Sequence, residues 1–268
     1  MSVFEVEKTP YFDISETLYC GQVFRFREDK GGFDVFALNH RARVEDKGEF
    51  YKIDCDDNEF FKKYFDFDTD YKSVQDEVAD GGFLSEAIEF GKGIHILRQD
   101  AFETVFSFLI SQNNHIPRIK GIIERICDGL GKDMGGYRAF PTVEALANAG
   151  EDYFAAMGAG YRASYLDRTA KALLCADKQE LASLDTEALR SRLMSLHGVG
   201  RKVADCILLF GFNRFDVFPV DTWIKKVFEK EYEGVPAEKL SQKLVQRYGD
   251  KAGFVQQWLF FYKRELEK

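Results

Sequence analysis

The spacing of apolar residues changes character once along this 268-residue chain, close to Tyr71. From Gly21 the sequence runs GQVFRFRE, FDVFAL, RARVE and EFYKID, divided by Asp-Lys-Gly-Gly, Asn-His and Asp-Lys-Gly. Short runs with β-branched and aromatic members, separated by turn formers, predict a small antiparallel meander. Phe24 and Phe26 alternate with Arg25 and Arg27, the pattern of a strand buried on one face. An acidic, aromatic stretch follows, with seven acids against two lysines over residues 54–70. Beyond Tyr71 the period becomes helical. VFSFLISQ, IPRIKGIIERICDGL, TVEALANAG, YLDRTAKALLCA, TEALRSRLMSL, KVADCILLFG and WIKKVFEKEY are amphipathic or buried segments with Gly or Pro near several ends. They predict a bundle of roughly eight to ten helices. The expected class is α+β: an antiparallel sheet domain over residues 1–92, then an all-helical domain over 93–268.

Composition narrows the function classes. No run of about 18 apolar residues occurs, which argues against a membrane-spanning helix and a membrane partner. The N-terminus lacks a basic segment followed by an apolar one, so no secretion signal is expected. The five cysteines (Cys20, Cys55, Cys127, Cys175, Cys206) are widely spaced, as reduced cytoplasmic thiols are. They form no four-cysteine iron–sulfur loop, and the four histidines are scattered. No cofactor and no metal held by side chains is expected. The net charge of −8 argues against a nucleic-acid partner. The motifs argue the other way.

The most informative segment is Leu196–Asp221, LHGVGRKVADCILLFGFNRFDVFPVD. Two glycines separated by one residue permit a tight turn between helices and expose consecutive N–H groups, a cradle for phosphate. A simple packing junction between helices needs the same glycines. Lys202 falls in the first turn of the next helix, where the helix N-terminus and any burial favour the neutral amine, a nucleophile capable of Schiff-base chemistry. Asp221 lies 19 residues later in P-V-D-T-W, just before the helical run WIKKVF. The ordinary readings are a solvated lysine and a helix N-cap.

L-x-G-V-G-x-K-V-A-D-C followed by P-V-D resembles the helix-hairpin-helix glycosylase superfamily, and most closely its 8-oxoguanine DNA glycosylase family. The resemblance covers nearly the whole chain. It implies a TBP-like N-terminal sheet and a helical catalytic domain. In FSFLISQNNHIPR it assigns Asn113 and Arg118 to the duplex gap, reading the cytosine left behind; Asn114 also matches. A polar helix cap is the competing reading. In Gly160-Tyr161-Arg162-Ala163 it makes Tyr161 the wedge and Arg162 a second cytosine contact, against a plain surface pair. In CGQVFRF it makes the Gly21 carbonyl the acceptor for N7–H of the damaged base. Guanine has an acceptor at N7 and 8-oxoguanine a donor, and a mismatched polar pair costs about 1–3 kcal/mol. In FVQQWLFF it assigns Gln256 to the base edge and Phe260 to one face, with Cys206 on the other. Phe260 and Cys206 also suit plain core packing.

By this resemblance, Gly198, Val199 and Gly200 hold phosphates. A monovalent or calcium ion fits the backbone carbonyls near Leu196 and Val199. Lys202 attacks C1′ of a flipped-out nucleotide, Asp221 stabilises the cationic sugar, and the Schiff base allows β-elimination 3′ to the lesion. The implied protein is a bifunctional base-excision-repair enzyme acting as a monomer in the cytoplasm or nucleoid. Its partner is duplex DNA with 8-oxoguanine, preferably opposite C. Three positions depart from the family pattern: Trp223 for a histidine, His115 for an asparagine, and Tyr262–Lys263 for an acidic segment. A glycosylase for another damaged base, or a non-catalytic DNA-binding module, would share the hairpin. The charge objection weakens locally. Segments 113–125, 161–171 and 196–226 each carry a balance of +2, enough for a basic face on an acidic protein.

Overall fold

A computed structural model describes residues 2–267. Met1 and Lys268, which close the expected domain spans, lie outside the described residues. Five strands form one antiparallel sheet: β1 (Ser2–Glu7), β2 (Phe26–Asp29), β3 (Gly32–Ala37), β4 (His40–Asp46) and β5 (Phe50–Cys55), in the order β1-β5-β4-β3-β2. The β2–β5 meander follows the sequence reading, and its turns have the expected chemistry. Asp29 accepts the Gly31 N–H and Asp46 the Gly48 N–H, each at 2.8 Å. The strand β1 is additional. It pairs with β5, Phe4 opposite Ile53 and Val6 opposite Tyr51. Phe4 and Val6 alternate with Glu5 and Glu7, but the strand is only half-buried and its partner is about fifty residues away.

One strand expectation is corrected. Arg25 does not face solvent; it is buried. Regular strand pairing begins only at Phe26, and residues 22–25 run into the seam between sheet and helices. There the Arg25 guanidinium meets Glu103 at 3.2 Å and donates to the carbonyls of Leu38 at 3.2 Å and Arg138 at 2.7 Å. A buried charge of this kind is tolerated because it is paired and hydrogen-bonded.

Four short helices surround the sheet region: α1 (Ile14–Tyr19), α2 (Asn58–Tyr64), α3 (Tyr71–Val78) and α4 (Phe83–Phe90). Eleven more follow: α5 (Ala101–Ser111), α6 (Ile116–Leu130), α7 (Val143–Ala149), α8 (Glu151–Ala156), α9 (Ala163–Leu173), α10 (Lys178–Ser183), α11 (Thr186–Met194), α12 (Arg201–Gly211), α13 (Thr222–Val227), α14 (Ala237–Tyr248) and α15 (Ala252–Leu266). That is slightly more than the periodicity suggested, because pieces of six or seven residues are too short to show a period. Aspartates cap seven of the fifteen, namely Asp13, Asp57, Asp70, Asp100, Asp177, Asp185 and Asp221, so part of the acid excess serves helix starts.

Two apolar cores form. One lies against the sheet and draws on residues 12–65 with Leu97. The other fills the helical body and includes Tyr71, Leu84 and Ile88 as well as Cys20 and Phe24 from the N-terminal segment. The expected boundary between residues 92 and 93 thus falls inside the second core, with α4 packed on α15. Helix α5 is buried along residues 101–110 and packs against α12, which fixes the base of the site. Among the described residues no helix is long and apolar enough to cross a membrane.

Candidate active site

The turn from α11 to α12 is closed by its own backbone. Leu196 N–H reaches Leu193 O at 3.0 Å, and Val199 N–H reaches Leu196 O at 3.1 Å. Gly198 sits at φ +84°, and a Cβ there would stand 2.3 Å from the ring of Tyr165. Both facts require glycine. The Val199 N–H is engaged inside the turn, so of the three amides expected to hold phosphate, those of Gly198 and Gly200 are left. Gly200 is the N-cap of α12 and offers no side-chain cap. The first-turn N–H groups of α12 therefore have no side-chain acceptor and suit an anion.

Lys202 stands in that first turn and is exposed. Its Nζ lies 5.7 Å from the Phe108 ring centre on α5. Cys206, one turn further along α12, and Asp221 are the groups that act on it. Here the expected depression of the lysine is corrected. Close protein atoms oppose its charge, but Cys206 and Asp221 favour it more, and the net shift is upward. Burial pushes the Cys206 thiol up to about 11. It is therefore uncharged near neutrality, which leaves Asp221 as the negative group that acts on Lys202 there. Asp221 serves two ends at once. Its Oδ1 caps α13 by accepting the Ile224 N–H at 2.9 Å, and its carboxyl is raised by burial against the opposing pull of that N–H and of Lys202. The ordinary N-cap reading holds.

Of the residues expected to form a base pocket, Gly21 and Phe260 meet from the two ends of the chain. Gly21, at φ +95°, lies against Phe260: a Cβ there would stand 3.2 Å from the ring. Gln256 is on the same face of α15, one turn before Phe260. It is buried, and its Oε1 has no hydrogen-bond partner. An orphaned acceptor in a buried position suits a ligand donor. Cys206 is buried beside Lys202. Helix α15 packs against α13, and its start at Gly253 presses on Leu209 of α12. The pocket helix is thereby tied to the helices that carry Lys202 and Asp221.

The segment between α5 and α6 is exposed at Asn113, at φ +45°. Asn114 is locked by Ile110 O at 3.1 Å and the His115 N–H at 3.0 Å. His115 caps α6, accepting the Arg118 N–H at 3.4 Å, so the polar-cap reading holds at this position. Arg118 is exposed and donates to Gly158 O at 3.2 Å. Tyr161 is 54% exposed, an aromatic ring projecting beside the gap segment. Arg162 is different: its side chain is buried. It donates to Gln112 O (2.8 Å from Nε), Asn113 O (2.8 Å) and Ala159 O (3.3 Å). Those donors must change partners before this guanidinium meets a base. Sequence reasoning missed Gln112. Its carbonyl receives both Arg162 and the Tyr161 hydroxyl, and its Nε2 donates to Gly198 O at 3.1 Å. It joins wedge, gap segment and hairpin, and its only signal was its place directly before Asn113.

Residues 3–105 match the family described as 8-oxoguanine DNA glycosylase, N-terminal domain, and residues 106–249 match the HhH-GPD superfamily of base excision DNA repair proteins. The chain belongs to the 8-oxoguanine DNA glycosylase family. An N-glycosylase/DNA lyase of Saccharomyces cerevisiae is 34% identical over 208 residues, 69% of this chain and 55% of that protein. A probable N-glycosylase/DNA lyase of Methanothermobacter thermautotrophicus is 30% identical over 231 residues, 76% of this chain and 72% of its own. The chain thus spans about half the length of the yeast relative. The 8-oxoguanine glycosylase/lyase of Clostridium acetobutylicum, solved with dsDNA containing cytosine opposite 8-oxoG, superposes with a TM-score of 0.92 at 34% identity. That match covers 100% of this chain and 99% of the other.

Within this glycosylase family the departures have local explanations. The Trp223 ring lies under Lys226 Nζ at 4.6 Å. Tyr262 donates to Glu86 at 3.2 Å and Lys263 pairs with Glu267 at 2.8 Å, so both are occupied. Among the described residues no group of three His, Cys, Asp or Glu could hold a metal ion. An ion near Leu196 would share that carbonyl with the Val199 N–H. A cavity of about 240 Å³ between β2 and α6, lined by Phe24, Arg25, Lys120 and Tyr137 among others, includes neither Lys202 nor Asp221.

Proposed function

We propose that this protein excises 8-oxoguanine from duplex DNA, preferably opposite cytosine, and then nicks the strand at the resulting abasic site. The observation that carries this reading is Lys202 in the uncapped first turn of α12 with Asp221 as its carboxylate partner. A base stacked in a duplex is out of reach, so the nucleotide must turn outward. The amides of Gly198 and Gly200 and the first turn of α12 receive phosphate. Tyr161, Asn113 and Arg118 occupy the gap, and Arg162 braces them. In the pocket the Gly21 carbonyl accepts N7–H, Gln256 meets the base edge, and Phe260 and Cys206 cover the two faces.

Lys202 must first lose a proton, and Asp221, whose carboxyl burial raises, is the acceptor at hand. The amine then forms a bond to C1′ while the bond to the base breaks, and the base leaves with the electron pair. The departing base takes up the proton from Asp221, and the carboxylate so restored stabilises positive charge developing on the sugar. Ring opening gives the Schiff base. Loss of a C2′ proton then expels the 3′ phosphate by β-elimination. The reading favours a DNA-bound monomer inside the cell, with no organic cofactor.

The test is borohydride trapping and strand nicking on duplexes with 8-oxoguanine opposite each of the four bases, with undamaged guanine as control. Trapping and nicking strongest opposite C are expected, and Lys202→Gln should abolish the trapped adduct. An adduct that persists in Lys202→Gln overturns the assignment of the nucleophile. Indifference to the opposite base removes the role of the gap residues.

A further inference from the structure

Two side chains of α15 that have no part in the reading above close on the residues before Gly21. Gln257, fully inside, donates from Nε2 to Cys20 O at 3.0 Å. Arg264 donates from Nη1 to the same carbonyl at 3.4 Å and from Nη2 to Tyr19 O at 2.7 Å. Its guanidinium lies 5.3 Å from the Phe260 ring centre, and a Cβ on Gly21 would stand 2.8 Å from Nη1. Glu265 steadies it from behind, accepting from Nε at 3.1 Å and Nη2 at 2.9 Å. On the other flank the buried Gln22 side chain donates to Thr17 O and His95 O and accepts the Leu97 N–H. The chain is held on both sides of Gly21, while among the described residues none donates to the Gly21 carbonyl.

We propose that Arg264, assisted by Gln257, is the positioning group that aims the Gly21 carbonyl and thereby sets discrimination between purines with and without a hydrogen on N7. This rests on the base-excision reading above. A hydrogen bond weakens steeply off its line, so an acceptor on a glycine at positive φ discriminates only if its peptide cannot swing. The helix that carries Gln256 and Phe260 also grips Tyr19 and Cys20, so edge, face and N7 contacts keep one geometry. The planar fork of arginine reaches the two carbonyls from rigidly related nitrogens, whereas lysine offers one compact ammonium on a flexible stem.

The experiment compares wild type, Arg264→Lys, Arg264→Ala and Gln257→Ala in single-turnover excision opposite cytosine. The substrates are 8-oxoguanine and 8-methoxyguanine, which keeps the C8 oxygen but has no N7–H. Nicking of a preformed abasic site, which places no base in the pocket, is measured in parallel. Arg264→Ala is expected to slow 8-oxoguanine excision by about tenfold, as loss of one well-aimed hydrogen bond does. Excision of 8-methoxyguanine and abasic nicking should fall far less, with Arg264→Lys and Gln257→Ala intermediate. Equal losses on both bases, a parallel loss of abasic nicking, or no loss at all overturns the proposal. If the wild type leaves 8-oxoguanine untouched, the function reading itself fails. If it excises both bases equally, the N7 contact is absent and the positioning role goes with it.

Discussion

A nucleophilic amine must be neutral, and Lys202 rests with its proton held. Three groups decide this: nearby protein atoms that oppose the charge, and Cys206 and Asp221 that favour it. With the lysine above its ordinary value, adduct formation should accelerate as pH rises into the alkaline range. Removing the Asp221 charge lowers the lysine's proton affinity, so Asp221→Asn should shift the alkaline limb to lower pH. The same change removes a group that stabilises the cationic sugar, so the plateau rate should fall about 10²–10³-fold. Single-turnover trapping from pH 6 to 10 on both proteins separates the two effects. An unmoved limb would show that Asp221 does not set the charge of Lys202.

The α11–α12 turn connects to Tyr161 as well as to α12. Gly198 packs on Tyr165, whose ring stands 5.1 Å from His197 and 5.7 Å from Tyr161. Gln112 adds a second link from Gly198 to the carbonyl that holds Arg162 and Tyr161. A methyl group at Gly198 therefore strains the backbone and pushes Tyr165 toward the wedge. Gly198→Ala should cost about 1–3 kcal/mol in stability and weaken duplex binding by about tenfold or more. Fluorescence anisotropy with duplex DNA and urea unfolding would measure the two. Unchanged binding would mean that the turn relaxes without moving the wedge.

Across the molecule, sheet and helical body are joined by charge as well as by apolar contact. Arg25 from the edge of the sheet and Glu103 from α5 meet where both are buried. Glu103 also accepts the Leu38 N–H at 2.8 Å. Glu103→Ala strands a buried guanidinium and should cost about 3–5 kcal/mol in urea unfolding. A loss below about 1 kcal/mol would show that water reaches the seam in the variant. Several aspartates of this acidic chain are committed to helix starts. Asp57 and Asp70, in the most acidic stretch, cap α2 and α3.

Much of this protein could be read from its residues in order. The β2–β5 meander followed from turns whose side chains bond their own backbone. Apart from Cys20 and Phe24, the buried members of the second core begin near Tyr71, where the period changes. Lys202 with Cys206, and Gln256 with Phe260, were paired by spacing on a helix. These features depend on neighbours within a few positions, where geometry is set by the chain itself. Strand β1, the burial of Arg25, the engaged state of Arg162, the junction at Gln112 and the charge of Lys202 were not legible. The first four depend on partners about fifty or more residues away, and the last on how burial offsets the pull of Cys206 and Asp221; no local period records what a side chain meets after folding. The sequence named the groups at the site; the packing of distant segments determined their partners and protonation.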